Sequence, residues 1–231
     1  MVMLRTKLWQ QTHNPMDTKT ENISRRELNR ILLTAVAPRP IGWISTVGVN
    51  GTPNLAPFSF YNVLSLTPPL LGFSVGIRSP DVRNRLGSEF KDTLRNIHCT
   101  SEFVVNIVTY PLAKAMVATS GDYDESTNEF EIAKLTTRTS NVVKVPQVAE
   151  SPISFECKLH KIIDFGTYKT SSSLVIGEVV SIHIEDAHLQ SGRLDANTLD
   201  LIGRMGAREY ARTCERFELT IENGMESQQT S

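Results

Sequence analysis

The amino-acid sequence predicts a mainly β protein, an antiparallel barrel or sandwich with a few helices packed outside it. About six apolar or alternating stretches are separated by short, turn-rich connections, whereas helical spacing occurs in only about three short segments. Strands and helices also do not alternate regularly along the chain, which argues against a doubly wound parallel sheet.

The first predicted strands form a hairpin in "WISTVGVNGTPNLAPFSF", residues 43–60, which turns at Asn50-Gly51 because both residues tolerate a positive φ. Later strands are identified by apolar runs or by period-2 alternation, as in Ile153, Phe155 and Cys157. They are "LTPPLLGFSVGI" at 66–77, "EFVVNIVT" at 102–109, "PISFECKLHKIID" at 152–164, "SSSLVIGEVVSIHIED" at 171–186 and "RFELTI" at 216–221.

Each of the three predicted helices has a local signal. In "SRRELNRILL", Ser24 and Glu27 have the spacing of a capping box. "KDTLRNIHC" at 91–99 has apolar residues at helical spacing, and "PLAKAMVATS" begins with a proline suited to a first helical position. We interpret residues 24–223 as one domain, 1–23 as a flexible N-terminal arm and 224–231 as a disordered tail.

Composition excludes several classes of partner. The formal net charge of −1 argues against a general nucleic-acid binder, and no apolar run approaches the roughly 20 residues that span a bilayer. The three cysteines show no CxxC spacing, which fits a reducing compartment, and we expect a cytoplasmic protein. We expect no metal site, because the histidines and acidic residues lack ligand spacing.

Small polar side chains interrupt the first hairpin and point to a ligand. Ser45, Thr46, Asn54 and Ser59 lie among aromatic residues, a combination that suits a planar, heteroatom-rich ring. The start of the second helix, at 91–93, offers free N–H groups and a lysine to an anion such as phosphate. The alternative is structural: the hydroxyls bond to the backbone, the aromatic residues fill the barrel, and Asp92 and Thr93 cap the helix.

The segments "APRPIGWISTVGVNGTPNLAPFSFYNVLSLTPPLLGFSV", "KDTLRNI", "EFVVNIV" and "RLDANTLDLIGRMGAREY" closely resemble the flavin reductase-like, FMN-binding split-barrel family, which includes the flavoredoxins. The resemblance runs from about residue 37 to 210. It implies a six-stranded antiparallel Greek-key split barrel that holds FMN non-covalently. It also implies a homodimer with the flavin near the interface.

The resemblance also implies which residues bind the cofactor. Ser45 and Thr46 are expected at the isoalloxazine edge, Asn54, Leu55 and Ala56 along the ring and ribityl chain, and Ser59 with the helix start at the phosphate. Asp92 is expected to act through its backbone N–H, because its carboxylate would repel the anion. The full set of expected cofactor-binding residues is Ser45, Thr46, Asn54, Leu55, Ala56, Pro57, Phe58, Ser59, Lys91, Asp92 and Thr93.

The activity implied is an NAD(P)H-dependent flavin reductase that passes hydride or electrons through FMN to free flavin, another small acceptor or a partner oxygenase. The alternatives are a non-enzymatic FMN-binding electron carrier, as in flavoredoxin, and a barrel that has lost its flavin. The resemblance assigns no catalytic side chain.

The segment 78–90 is longer than the family resemblance leads us to expect. Arg78, Arg83 and Arg85 could reach a phosphate of FMN or NADPH bidentately. We favour the alternative, a solvated loop with charges of both signs. Cys99, next to His98, is interpreted as a small buried residue.

Overall fold

The computed structural model describes residues 17–166 and 172–219, and its main feature is one large antiparallel sheet. The sheet has seven strands, in the order β2-β1-β5-β8-β9-β4-β3. Their bounds are Gly42–Val47 (β1), Pro53–Phe58 (β2), Tyr61–Leu66 (β3), Pro69–Gly76 (β4), Glu102–Ile107 (β5), Ile153–Phe165 (β8) and Ser172–Ile184 (β9). The prediction of a mainly β antiparallel fold is confirmed.

The first hairpin forms as predicted, with β1 paired to β2 from Gly42↔Phe58 to Val47↔Pro53. Of the two turn residues, only Gly51 has a positive φ, +84°. The Asn50 side chain instead accepts a hydrogen bond from the backbone N–H of Thr52. The turn is therefore a five-residue loop in which the asparagine side chain replaces a backbone partner.

The expected count of six strands is not confirmed, because Tyr61–Leu66 forms an additional edge strand, β3. It pairs with β4 from Tyr61↔Phe73 onwards. Its side chains are largely exposed, so the sequence shows no clear period-2 pattern there. The sheet curls enough for Phe58 of β2 to contact Phe73 of β4, with ring centroids 5.1 Å apart.

The described part of the chain also contains five short α-helices and four 3₁₀ turns. The helices are Arg25–Ala35 (α1), Pro80–Leu86 (α2), Asp92–Thr100 (α3), Ala113–Ala118 (α4) and Glu129–Ile132 (α5). The predicted cap of α1 is present, since the Ser24 hydroxyl accepts from the N–H of Glu27 at 3.1 Å. Within the described ranges, no helix is both long and apolar enough to cross a membrane.

Six short strands form three two-stranded ribbons. They are Thr137–Arg138 (β6) with Gln147–Val148 (β7), Leu189–Gln190 (β10) with Arg193–Leu194 (β11), and Ile202–Arg204 (β12) with Tyr210–Arg212 (β13). The strand predicted at 216–221 is wrong for 216–219, which belong to no strand; the remaining two residues lie outside the described ones. The arm and tail predicted at the termini also lie mostly outside the described residues.

Two hydrophobic clusters lie on opposite faces of β1. One contains Ile44, Phe73 and Phe103, and the other contains Trp43, Leu55 and Met116. Because side chains alternate along a strand, a β1 with both faces covered holds its polar residues in the interior as well. Ser45 and Thr46 are both fully buried.

Candidate functional site

The start of α3 presents free backbone donors next to a lysine. Lys91 is the N-cap residue, in an extended conformation, and its side chain makes no capping hydrogen bond. The carbonyl of Lys91 accepts from Leu94 and Arg95, so the N–H groups of Asp92 and Thr93 stand ahead of the first helical hydrogen bonds. This end of α3 can bind an anion.

A buried hydrogen-bond network fixes α3 to the first hairpin. Asn54 donates from Nδ2 to Thr46 Oγ1 at 3.0 Å and to Thr93 Oγ1 at 3.1 Å. Asn96, one turn further along α3, also donates to Thr46 Oγ1, at 3.1 Å. The structure therefore brings together three of the predicted residues, Thr46, Asn54 and Thr93, directly behind the helix start.

The carboxylate of Asp92 is turned away from the helix start by two arginines. Its Oδ2 lies 2.5 Å from Arg78 Nη2, and its Oδ1 lies 2.6 Å from Arg95 Nη2. These ion pairs offset the negative charge that would otherwise repel an anion there. That Asp92 contributes only its backbone N–H stays a prediction.

The expectation of a solvated loop at 78–90 is right in part. Pro80–Leu86 forms α2, but Asp81 and Arg85 are exposed to solvent; Arg78 is only 5% exposed, and its Nε has no partner among the described residues. Arg83 pairs with Glu89 at 2.6 Å, and Arg85 donates to the carbonyl of Asp122. Arg78, through Asp92, and Arg85 join the segment to the rest of the protein, whereas the Arg83–Glu89 pair lies within the segment.

Ser45 and Leu55 face the opposite side of the hairpin, away from Thr46 and Asn54. They are cross-strand partners and are both completely buried. Ser45 Oγ donates to the carbonyl of Pro146 at 2.6 Å and accepts from Asn106 Nδ2 at 3.3 Å. In this structure the Ser45 hydroxyl is fully engaged by protein groups.

The second half of β2 leads away from the α3 start. Ala56 and Phe58 pack against the cluster around Phe73, whereas Pro57 and Ser59 line a cleft of about 360 Å³ at the far end of the strand. Five residues of extended chain separate Ser59 from Asn54, or roughly 16 Å. The structure therefore does not bring Ser59 together with the helix start.

Sequence reasoning missed three charged residues near these positions: Arg39, Arg204 and Glu129. Arg39 and Arg204 line the cleft that contains Ser59, and Glu129 lies beside β2. A lone arginine between two prolines in "APRP" is the one signal that could have identified Arg39. Cys99, expected to be buried, is exposed and lines a polar cavity of about 180 Å³ with Glu129 and Asn54.

Glu129 is a buried carboxyl group on the free edge of β2. It is 5% exposed, and its Oε2 accepts from the N–H of Leu55 at 3.1 Å. Burial raises its pKa from the ordinary 4.5 to about 7, against the opposing effect of the Leu55 hydrogen bond. The group is thus partly protonated near neutral pH.

Replacing Glu129 with glutamine is expected to flatten the pH dependence of stability. Because the native pKa is above the unfolded one, the native state binds more protons between pH 4.5 and about 7. The free energy of unfolding of the parent protein should therefore fall as pH rises through this range. Urea unfolding at several pH values measures the difference; identical slopes for parent and variant would contradict the assignment.

Comparison with known proteins shows which family the chain is similar to. Residues 35–198 match the model of the flavin reductase like domain. An uncharacterized protein of Halalkalibacterium halodurans is 39% identical over 206 residues, which cover 88% of this chain and 95% of the relative. The family-model match includes the hairpin and α3 and ends at residue 198, before Arg204.

Two solved structures share the fold over nearly the whole chain. Nitrilotriacetate monooxygenase component B from Bacillus cereus has a TM-score of 0.82 at 31% identity, covering 90% of this chain and all of that chain. The 2-nitrobenzoate 2-nitroreductase of Pseudomonas fluorescens has a TM-score of 0.79 at 28% identity, covering 92% and 99%. The chain therefore belongs to the flavin reductase-like family.

Proposed function

We propose that the protein binds FMN non-covalently and acts as an NAD(P)H-dependent flavin reductase, passing hydride or electrons to free flavin or another acceptor. One observation carries the proposal: in a chain of this family, the uncapped start of α3, with Lys91, rests on the buried network of Thr46, Asn54 and Thr93. This arrangement supports an anion site at the position where the family resemblance puts the FMN phosphate.

The residues present fit a phosphorylated flavin. Lys91 and the N–H groups of Asp92 and Thr93 would hold the phosphate, and the paired Asp92 carboxylate would not repel it. Asn54 and Ala56 would lie along the ribityl chain, and Pro57, Phe58 and Ser59 would lie towards the ring. Ser45, Thr46 and Leu55, which are buried, would act by fixing the hairpin that carries these contacts.

Bound FMN supplies the redox chemistry, because its ring accepts hydride and releases electrons singly or in pairs. The chain contributes binding, orientation and the exclusion of water. The hydrogen bonds of Asn54 keep β2 and α3 in a fixed relation, so that the phosphate and ring ends of the site keep a constant separation. We assign no catalytic side chain.

The proposal also includes the oligomeric state, the electron acceptor and the compartment. Exposed apolar side chains along β3, Val63, Leu64 and Leu66, support a homodimer with the flavin near the interface. The likeness to a monooxygenase component supports a partner oxygenase as one acceptor. Three unpaired cysteines favour a reducing compartment such as the cytoplasm.

An absorbance spectrum tests the proposed function. We expect the purified protein, supplied with FMN, to be yellow and to lose its colour under anaerobic conditions when NADH or NADPH is added. A yellow protein that neither nicotinamide reduces, but that a protein donor reduces quickly, would indicate the electron carrier instead. A colourless protein whose Tm does not respond to FMN would overturn flavin binding, since a ligand at ~100 Kd stabilises by about 2.7 kcal/mol.

A further inference from the structure

Two adjoining clefts at the far end of β2 form a recess, and the proposed flavin contacts use only Pro57 and Ser59 of the residues that line it. Their volumes are about 360 and 430 Å³, and both are lined by Leu33, Arg39, Ser59 and Phe60. We call the combined recess the arginine cleft, because Arg39 and Arg204 lie in its wall. A recess of this size can hold a small organic molecule.

Arg39 is a buried cation bound only to neutral groups. It is 8% exposed; Nη1 donates to the carbonyls of Leu33 and Val36, both at 2.6 Å, and Nη2 donates to that of Met205 at 2.9 Å. Its Nε–H has no partner among the described residues. A buried charge without a counter-ion is costly, so an anion at the Nε edge would stabilise this arrangement.

Arg204 adds a second cation to the same wall. Backbone hydrogen bonds of 2.9 and 2.8 Å join it to Arg39. Its guanidinium lies over the ring of Tyr210, 4.6 Å from the centroid, and donates to Tyr210 Oη and to the carbonyl of Ala207. Burial and repulsion from Arg204 both lower the pKa of Arg39.

These two arginines differ from others that the structure describes. Arg78, Arg138 and Arg212 each form an ion pair with a carboxylate. Arg39 and Arg204 form none within the described ranges, and no acidic residue is among those described as lining the arginine cleft. The wall therefore has a local excess of positive charge next to a recess.

The other walls of the arginine cleft are apolar and partly aromatic. Phe60 is 56% exposed, and the guanidinium of Arg39 lies 6.0 Å from its ring centroid. Leu32, Val36 and Tyr61 complete this side. A flat apolar ring would bury this exposed surface, while a planar anionic group on the ring would pair with the arginines, which bind carboxylates bidentately.

We propose that the arginine cleft binds a small aromatic carboxylate, with the carboxylate on Arg39 and Arg204 and the ring against Phe60. We place this ligand beside the flavin, where it can serve as an electron acceptor or modulate one. This placement rests on the proposed function. The binding itself does not, because it depends only on the cleft and its charges.

Isothermal titration with benzoate and with benzamide tests the proposal in protein saturated with FMN. Benzamide has the same ring without the charge. We expect benzoate to bind at least about tenfold more tightly, and Arg204→Met to lower benzoate affinity by about tenfold. Arg212→Met is the matched control, because Arg212 also lies over an aromatic ring, that of Tyr110 at 4.1 Å, but outside the arginine cleft. It should leave benzoate binding unchanged.

The second variant is at Arg39, which also donates to carbonyls at the end of α1. A neutral side chain there would destabilise the protein, so the variant keeps a positive charge. Arg39→Lys keeps the charge but loses the Nε–H and part of the guanidinium's hydrogen bonds, so its Tm should fall slightly; while circular dichroism shows the variant folded, it should bind benzoate more weakly than the parent protein. Equal affinity for benzoate and benzamide, or displacement of benzoate by riboflavin, would overturn the proposal. A change of oligomeric state in Arg204→Met without loss of benzoate binding would do so too. Arginine-dependent benzoate binding in a protein that takes up no FMN would sustain the anion site and overturn only the proposed function.

Discussion

Replacing Lys91 and Thr93 together with alanine is expected to weaken FMN binding by about 100- to 1000-fold, roughly 3 to 4 kcal/mol. The double change removes the ammonium group at the helix start and the hydroxyl that accepts from Asn54. Riboflavin has the same ring and ribityl chain but no phosphate, so its affinity should change by less than about threefold. Fluorescence titration of both flavins measures the two effects.

The matched control for this prediction is Lys114→Ala. Lys114 is an exposed lysine on α4, and its loss should affect neither flavin. Equal losses of FMN and riboflavin in the double variant would mean that the change disturbs the hairpin and that the phosphate is held elsewhere. Arg78, which is buried beside Asp92, would then be the first residue to examine.

The sequence predicted the features that depend on short-range signals. The capping residues of α1, the Asn50-Gly51 turn and the helix after Lys91 each require only a few neighbouring residues. The grouping of Thr46, Asn54 and Thr93 was not predicted, since it joins three elements. The family resemblance named all three as cofactor contacts but put Thr46 at the ring edge and Thr93 at the phosphate, whereas the hydrogen bonds of Asn54 bring them to one place.

The remaining features depend on register and on distant partners, which local patterns do not contain. Ser45 and Thr46 are adjacent in sequence, but alternation along β1 sends them to opposite faces. Arg78 appeared solvated because Asp92, its partner, lies 14 positions further along the chain. Glu129 likewise has no local signal in the sequence, and only the fold places it on the edge of β2.

Glu156 is a residue whose contribution to stability also depends on distant partners. It lies in β8, is completely buried, and has no short-range signal that separates it from neighbouring strand residues. Its carboxylate accepts from the backbone N–H groups of Asn141, Val142 and Val143, at 2.6 to 3.0 Å. It thereby fixes the segment that ends at Pro146, whose carbonyl accepts from Ser45. The core of the first hairpin therefore depends on a carboxylate two strands away.

Changing Glu156 to glutamine is expected to reduce the free energy of unfolding by roughly 3 to 5 kcal/mol. The NH₂ group of the glutamine would face backbone N–H donors, and the lost hydrogen bonds to a charged group contribute about 1.5–3 kcal/mol each. Burial alone would raise the pKa of Glu156, but the N–H groups of Asn141, Val143 and Val142 hold it below the ordinary 4.5.

The stability that Glu156 contributes is thus present above pH 4.5 and lost as the pH falls through the native pKa, which is the opposite of Glu129. Urea unfolding at pH 7 and in mild acid should show the variant and the parent protein converging on acidification. Glu178→Gln, at an exposed position on β9, is the control and should change stability by less than about 0.5 kcal/mol. A difference between Glu156→Gln and the parent protein that stays constant with pH would mean that packing, and not the charge of Glu156, holds the segment in place.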